Sequence, residues 1–158
     1  MPSYTTADIR NVLLAGHGAS GKTTLADALL HASGTVTRKA SVADGSSFSD
    51  FEKEEKEHKH SIYSSMLHID HQGKRINLID APGSPDLFGQ AIAAIPAVET
   101  VAVVVNAQNG IEVVTRRIME LARENNKCRA VIVNKIDMPE VDLEGLVEQI
   151  REAFGSEC

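Results

Sequence analysis

Runs of apolar residues in this chain alternate with stretches at helical spacing, and the changes between them mark its elements. The run Ile9–Ala15 (Ile9, Val12, Leu13, Leu14, Ala15) predicts a buried strand. Leu25, Ala28, Leu29 and Ala32 then recur at helical spacing, with Gly34 placed to stop the helix. Residues 33–49, rich in Gly, Ser, Thr and Ala without any period, predict a mobile loop. The charge run Asp50-Phe51-Glu52-Lys53-Glu54-Glu55-Lys56-Glu57-His58-Lys59-His60 follows and reads as a solvated helical segment. Strands over 61–70 (Ile62, Tyr63, Leu67, Ile69) and 75–79 flank His71-Gln72-Gly73-Lys74, a turn too short for a crossover, so they pair antiparallel. Phe88, Ile92 and Ile95 predict a short helix across 87–98 that ends near Pro96. Residues 100–105 are continuously apolar, as an interior parallel strand should be. A helix over 112–125 turns Val114, Ile118, Leu121 and Ala122 inward, and 129–133 predicts another buried strand. Asp142 is placed to cap a last helix facing inward through Leu143, Leu146, Val147, Ile150 and Phe154, with Gly155 beyond it. Strands alternating with helices predict an α/β domain, a mostly parallel, doubly wound sheet with one antiparallel hairpin and helices on both faces.

Between the first strand and the first helix lies Gly16-His17-Gly18-Ala19-Ser20-Gly21-Lys22-Thr23, a glycine, four residues, then Gly-Lys-Thr. Glycines allow backbone conformations barred to other residues, so successive N–H groups can turn inward around a phosphate. The helix N-terminus adds its positive dipole end at the same point. This strand–loop–helix context predicts a P-loop NTPase, with His17, Gly18, Ala19, Ser20, Gly21, Lys22, Thr23 and Thr24 around the phosphates. Lys22 would reach the β- and γ-phosphates, and the Thr23 hydroxyl would ligate Mg2+. Asp80-Ala81-Pro82-Gly83 follows a strand, where a doubly wound sheet presents its ligands. Asp80 suits the second magnesium-associated carboxylate, and Gly83, lacking a side chain, lets its N–H approach a γ-phosphate. Asn134-Lys135-Ile136-Asp137 names the base. The Asp137 carboxylate can accept from the N1–H and N2–H₂ donors of guanine, which adenine lacks in that arrangement, and the Lys135 stem can lie over the purine. Asn134, Lys135 and Asp137 therefore join the nucleotide set, and the expected ligands are GTP or GDP with Mg2+.

Composition narrows the setting. With 158 residues, 42% of them hydrophobic and 24% charged, the chain can bury one ordinary globular core. Its net charge of −6 argues against direct DNA binding, so any RNA contact would need a local patch or parts of a longer chain. No apolar run approaches a membrane span and residues 1–8 lack signal-peptide character, so no membrane partner is expected. Cys128 and Cys158 lack metal-ligand spacing and read as free thiols of a cytoplasmic protein, Cys128 as a half-buried small hydrophobe. His17, His58, His60, His68 and His71 have no partners for a tetrahedral set and read as solvated.

Taken together, the three nucleotide motifs resemble those of a translational GTPase. Asp50-Phe51, the Glu/Lys-rich run and Ser61-Ile62 resemble the first switch region of elongation factor G, as do Gln90-Ala91-Ile92 and Asn106-Ala107-Gln108-Asn109-Gly110-Ile111-Glu112 elsewhere in that factor. The resemblance spans essentially the whole chain. It implies a monomeric GTP-driven switch acting on the ribosome, with residues 35–60 as the mobile switch region. It also implies that Ser61 stands where a switch threonine ligates magnesium, giving Thr23, Ser61 and Asp80 as the metal set. Three positions depart from the family. Ser84 replaces the histidine that positions the attacking water, Ala19 replaces an aspartate of the phosphate loop, and Lys59-His60 replaces Gly-Ile. Serine is shorter than histidine and never cationic, so with Lys22, Gly83 and Ser84 as the catalytic candidates the expectation is slow GTP hydrolysis without a partner. A weakly hydrolysing or non-hydrolysing GTP-gated switch, a paralogue with altered function, is the alternative. A complete family domain adds a further strand and a Ser-Ala loop against guanine after Asp137. Residues 1–158 are therefore expected to be one GTP-binding domain truncated at its C-terminal end, whose remaining domains lie in a longer chain.

Overall fold

The computed structural model describes residues 4–155, so Cys158 lies outside the described residues. Five strands, β1 (Ile9–Ala15), β2 (Ser65–His71), β3 (Lys74–Asp80), β4 (Thr100–Asn106) and β5 (Cys128–Asn134), form one sheet in the order β2-β3-β1-β4-β5. The helices are α1 (Lys22–Ala32), α2 (Lys53–His58), α3 (Phe88–Ala94), α4 (Val113–Glu124) and α5 (Leu143–Phe154). The central β1 runs parallel to β3 and β4, β5 runs parallel to β4, and β2 alone is antiparallel, to β3. Gln72 and Gly73 have φ of 48° and 74°, so the hairpin closes through two left-handed residues, whose twist matches that of the strands.

Apolar side chains alternate across β1 and β4 and so serve two cores. Leu13, Ala15, Val101 and Val103 meet α3 and α4 through Ala91, Ile95, Val114 and Ile118. Leu146 and Ile150 of α5 pack with Val105 and Ala107. On the other face, Leu14, Ala102 and Val104 meet Ala26 and Leu30 of α1. The α/β reading holds: a mostly parallel sheet with one antiparallel pair and helices on both faces. No helix among the described residues is long and apolar enough to cross a membrane.

Several details differ from the pattern expected. The inward stripe of α1 is Lys22, Ala26 and Leu30, spaced four apart, with Asp27 beside it. Leu29 is 38% exposed, and Ala28 and Ala32 face out. The stripe begins with a lysine drawn into the site, which an apolar count passes over. β2 starts at Ser65 rather than at residue 61, because the amides of Ile62 and Tyr63 bond to the Glu55 carboxylate instead of a neighbouring strand. Glu55 itself is completely buried, inside a run expected to be solvated. Phe88 and Ala91 of α3 face inward together with Ile95, which follows in a 3₁₀ turn over Ile95–Ala97, and Ile92 is left exposed. α5 faces inward through Leu146, Ile150 and Phe154, so Leu143 in its first turn is exposed, while the expected cap forms through Gly145 N–H donating to Asp142 Oδ1 at 3.0 Å. β5 is half-exposed, and Cys128 at its start is exposed rather than half-buried as expected. With β2 this strand forms the two edges of the sheet among the described residues, and only its Ile132 joins the core beneath α1.

Candidate functional site

The phosphate-loop sequence leaves β1 and enters α1 at Gly21, whose φ of 95° is a left-handed conformation that suits glycine. A Cβ at Gly21 would also strike the Asn134 side chain. That side chain donates from Nδ2 to the Ser20 carbonyl at 2.9 Å, so the end of β5 braces the loop from behind. Lys22 folds back beneath the loop and donates from Nζ to the His17 carbonyl at 2.8 Å. Burial pushes its ammonium down to about 8, against the opposing pull of Asp80 and Glu112. The turn after β3 lies directly on the loop, since a Cβ at Gly83 would collide with Lys22 Nζ and the Gly18 nitrogen. No side chain fits at position 83.

Asp80 ends β3 at 1% exposure, and neither of its carboxylate oxygens has a hydrogen-bond partner. Burial raises this carboxyl to about 6, and the neighbouring Thr23 hydroxyl, Lys22 ammonium and Ser49 hydroxyl oppose the rise. Those hydroxyls lie close by without reaching hydrogen-bond geometry. Above Asp80 the Ser61 hydroxyl donates to Asp50 Oδ1 at 2.6 Å and sits 3.1 Å from Thr23 Oγ1. A serine hydroxyl has one hydrogen, so with that hydrogen on Asp50 the Thr23 hydroxyl is the donor to Ser61. Asp50 is 2% exposed, and burial raises its carboxyl above the usual range despite the Ser61 bond.

A cavity of about 600 Å³ opens over these groups. From the expected site it is lined by His17, Gly18, Ala19, Gly21, Lys22, Thr23, Thr24, Ser61, Gly83, Ser84 and Lys135. Ser20 and Asp80 are buried beneath it, and Asn134 acts from behind through its loop contact. Asp137 is exposed in the turn after β5 and is not among the lining residues. Asp50, Lys59 and His60 also reach the cavity, although sequence reasoning gave them no site role. The Asp50–Ser61 bond spans 11 residues of irregular chain, a relation no periodicity reveals. Lys59 has φ of 57° at the C-terminal cap of α2, a left-handed conformation that suits glycine better than lysine.

The donor set suits magnesium. It is all oxygen (Thr23, Ser61, Asp50, Asp80), and it includes a buried carboxylate without partners. The 3.1 Å between the Thr23 and Ser61 oxygens is close to the separation of adjacent ligands on an octahedral ion with bonds of about 2.1 Å.

Residues 7–157 match the family described as the elongation factor Tu GTP binding domain. The chain belongs to this family. As a translational GTPase-type domain, it is 30% identical over 147 residues to an elongation factor G-like protein of Mycobacterium tuberculosis, covering 93% of this chain and 21% of that protein. It is 34% identical over 149 residues to the mitochondrial ribosome-releasing factor 2 of Drosophila willistoni, covering 94% of this chain and 20% of that protein. A crystal structure of a protein from Thermus thermophilus superposes with a TM-score of 0.90 at 36% identity, over 94% of this chain and 22% of that one. The chain thus spans about a fifth of the length of these relatives.

Proposed function

We propose that this chain is the GTP-binding domain of a longer, elongation factor G-like GTPase that hydrolyses GTP slowly until a large partner, the ribosome, completes the site. The observation that carries the reading is the convergence on one cavity of Lys22, Gly83 and a hydroxyl pair above the buried, unpartnered Asp80. A buried carboxylate with no donor and a raised affinity for protons suits a cation, and a lysine lowered by burial suits an anion beside it. In this reading the backbone N–H groups of the loop, with Lys22, bind the phosphates. Thr23, Ser61 and Asp80 would hold magnesium, which when bound would neutralise phosphate charge. The Gly83 N–H orients the γ-phosphate, and Asn134, Lys135 and Asp137 select guanine. Residues 35–60 act as the switch. Ser84 lines the cavity but offers no imidazole at that position, and in this reading a partner completes the alignment of the attacking water.

The same serine supports the second reading, a GTP-gated switch that scarcely hydrolyses. Titration of this chain with fluorescent GDP and GTP in magnesium, with ADP as competitor, tests the shared part. Binding that ADP does not displace is the expected result. If neither this chain nor the full-length protein binds guanine nucleotide, both readings fall. Turnover of the full-length protein with and without ribosomes then separates them, since only the enzyme is stimulated.

A further inference from the structure

Glu55 is the only residue of 51–60 that is buried, and at 0% exposure it is buried completely. Its two oxygens accept four backbone N–H groups. Oε2 receives Phe51 at 3.1 Å and Glu52 at 3.0 Å. Oε1 receives Ile62 at 2.8 Å and Tyr63 at 3.1 Å. Burial alone would raise this carboxyl, but the four donors outweigh it and hold the group below the usual carboxylate range.

An ordinary helix cap accounts for half of this. A carboxylate in the first turn of α2 naturally takes the free amides at the helix start, here Phe51 and Glu52. It has no reason to reach Ile62 and Tyr63, which lie beyond the end of the helix. Those two bonds close residues 51–63 into a single loop around one side chain. Asp50 immediately precedes the first pair of bonded amides and Ser61 immediately precedes the second. The Asp50 and Ser61 side chains meet at 2.6 Å, and Ser61 then meets Thr23 at 3.1 Å.

We infer that Glu55 is a positioning residue, which holds Asp50 and Ser61 as one preassembled pair against Thr23. It touches no ligand itself and acts through the two residues beside its amide partners. The inference rests on the reading of Thr23 and Ser61 as the cation side of a nucleotide site. A carboxylate is needed because both oxygens must accept. The glutamine amide has the same shape, but its NH₂ group would face two N–H donors. The staple also makes the segment a unit: Asp50 and Ser61 approach or leave the loop together.

Two measurements on the whole chain test this. The first is amide hydrogen exchange without nucleotide. The Phe51, Glu52, Ile62 and Tyr63 amides should be protected as a group, and Glu55→Gln should accelerate them together by about tenfold or more while β1 and β4 keep their protection. The second is affinity for fluorescent GTP in magnesium and in EDTA. Glu55→Gln should reduce the gain in affinity due to magnesium by about tenfold and leave affinity in EDTA unchanged. Because Asp50 meets Thr23 only through its bond to Ser61, Glu55→Gln combined with Ser61→Ala should be no worse than Ser61→Ala alone. A merely structural role would instead lower affinity equally with and without magnesium. Continued protection of Ile62 and Tyr63 in Glu55→Gln overturns the inference, as do losses that multiply in the double variant. Should Glu55→Gln fail to fold, Glu55→Asp, too short to span both pairs of amides, carries the same comparison. Absence of guanine-nucleotide binding in both this chain and the full-length protein would sink the functional reading, while the exchange measurement still decides whether the staple exists.

Discussion

Two buried carboxylates lie on either side of this site, and they differ in one respect. Glu55 has four N–H donors and is held below the ordinary carboxylate range. Asp80 has none and is pushed up to about 6. The protein has already supplied everything the first needs, so that group stabilises the fold. The second is left with an uncompensated desolvation cost, which a cation would offset. A buried carboxylate therefore points to a ligand only when its partners are missing.

The strongest way to break the contrast is to delete the satisfied group. Glu55→Ala leaves four amides without their acceptor, and opening of residues 51–63 should become easier by about 4 kcal/mol, at roughly 1 kcal/mol per bond. Hydrogen exchange on those amides measures it. Deleting the unsatisfied group should act in the opposite direction. Asp80→Asn removes a buried carboxylate whose raised pKa corresponds to a penalty on the order of 2–3 kcal/mol at neutral pH. Calorimetry in EDTA should find the variant more stable than the wild type, even as magnesium-dependent GTP binding is lost. An unchanged or lowered melting midpoint would mean that Asp80 carries no such penalty.

Acidity acts on the two carboxylates in opposite senses, because one pKa is raised and the other lowered. The folded Asp80 carboxyl, at about 6, keeps a proton that the unfolded one releases near 3.8. Its contribution in EDTA is therefore most favourable below about 4 and is lost as pH rises towards 6. Glu55 is lowered from 4.5, so its contribution is present above that value and is lost on acidification through its folded pKa. Stability measured from pH 4 to 7 should show the Asp80 slope in wild type and none in Asp80→Asn. The smallest effect concerns neither carboxylate. Lys59→Gly relieves a left-handed lysine at the end of α2 and should stabilise that turn by at most about 1 kcal/mol, read from exchange at its last amides.

Much of the architecture was legible because it rests on apolar spacing and turn chemistry. The buried β4, the Gln72-Gly73 hairpin and the Asp142 cap all follow from local residue types. The sequence misled wherever a polar side chain was doing the packing. Lys22 sets the phase of α1, and the carboxylate of Glu55 takes the amides that β2 was expected to use. In a run of six charged residues nothing distinguishes Glu55 from Glu54 or Glu57 except a fold that brings Ile62 and Tyr63 around to it. The candidate site was legible as motifs and not as geometry. Spacing could associate Asn134 with a nucleotide, but not show that it braces Ser20. The placement of Asp50, Lys59 and His60 at the cavity likewise depends on irregular chain.

The bond from Asn134 to Ser20 joins residues 114 positions apart, and the strand before the loop pairs only with residues 75–80 and 100–103. A chain synthesised from its N-terminus therefore exposes the phosphate-loop sequence long before any of its partners exists. The β2–β3 hairpin can close locally, while the central strand must wait for both neighbours and the loop for the end of β5. Nucleotide capture is then a late event in the life of the nascent polypeptide, and a ribosome-bound chain halted before Asn134 emerges should carry the motif and hold no nucleotide.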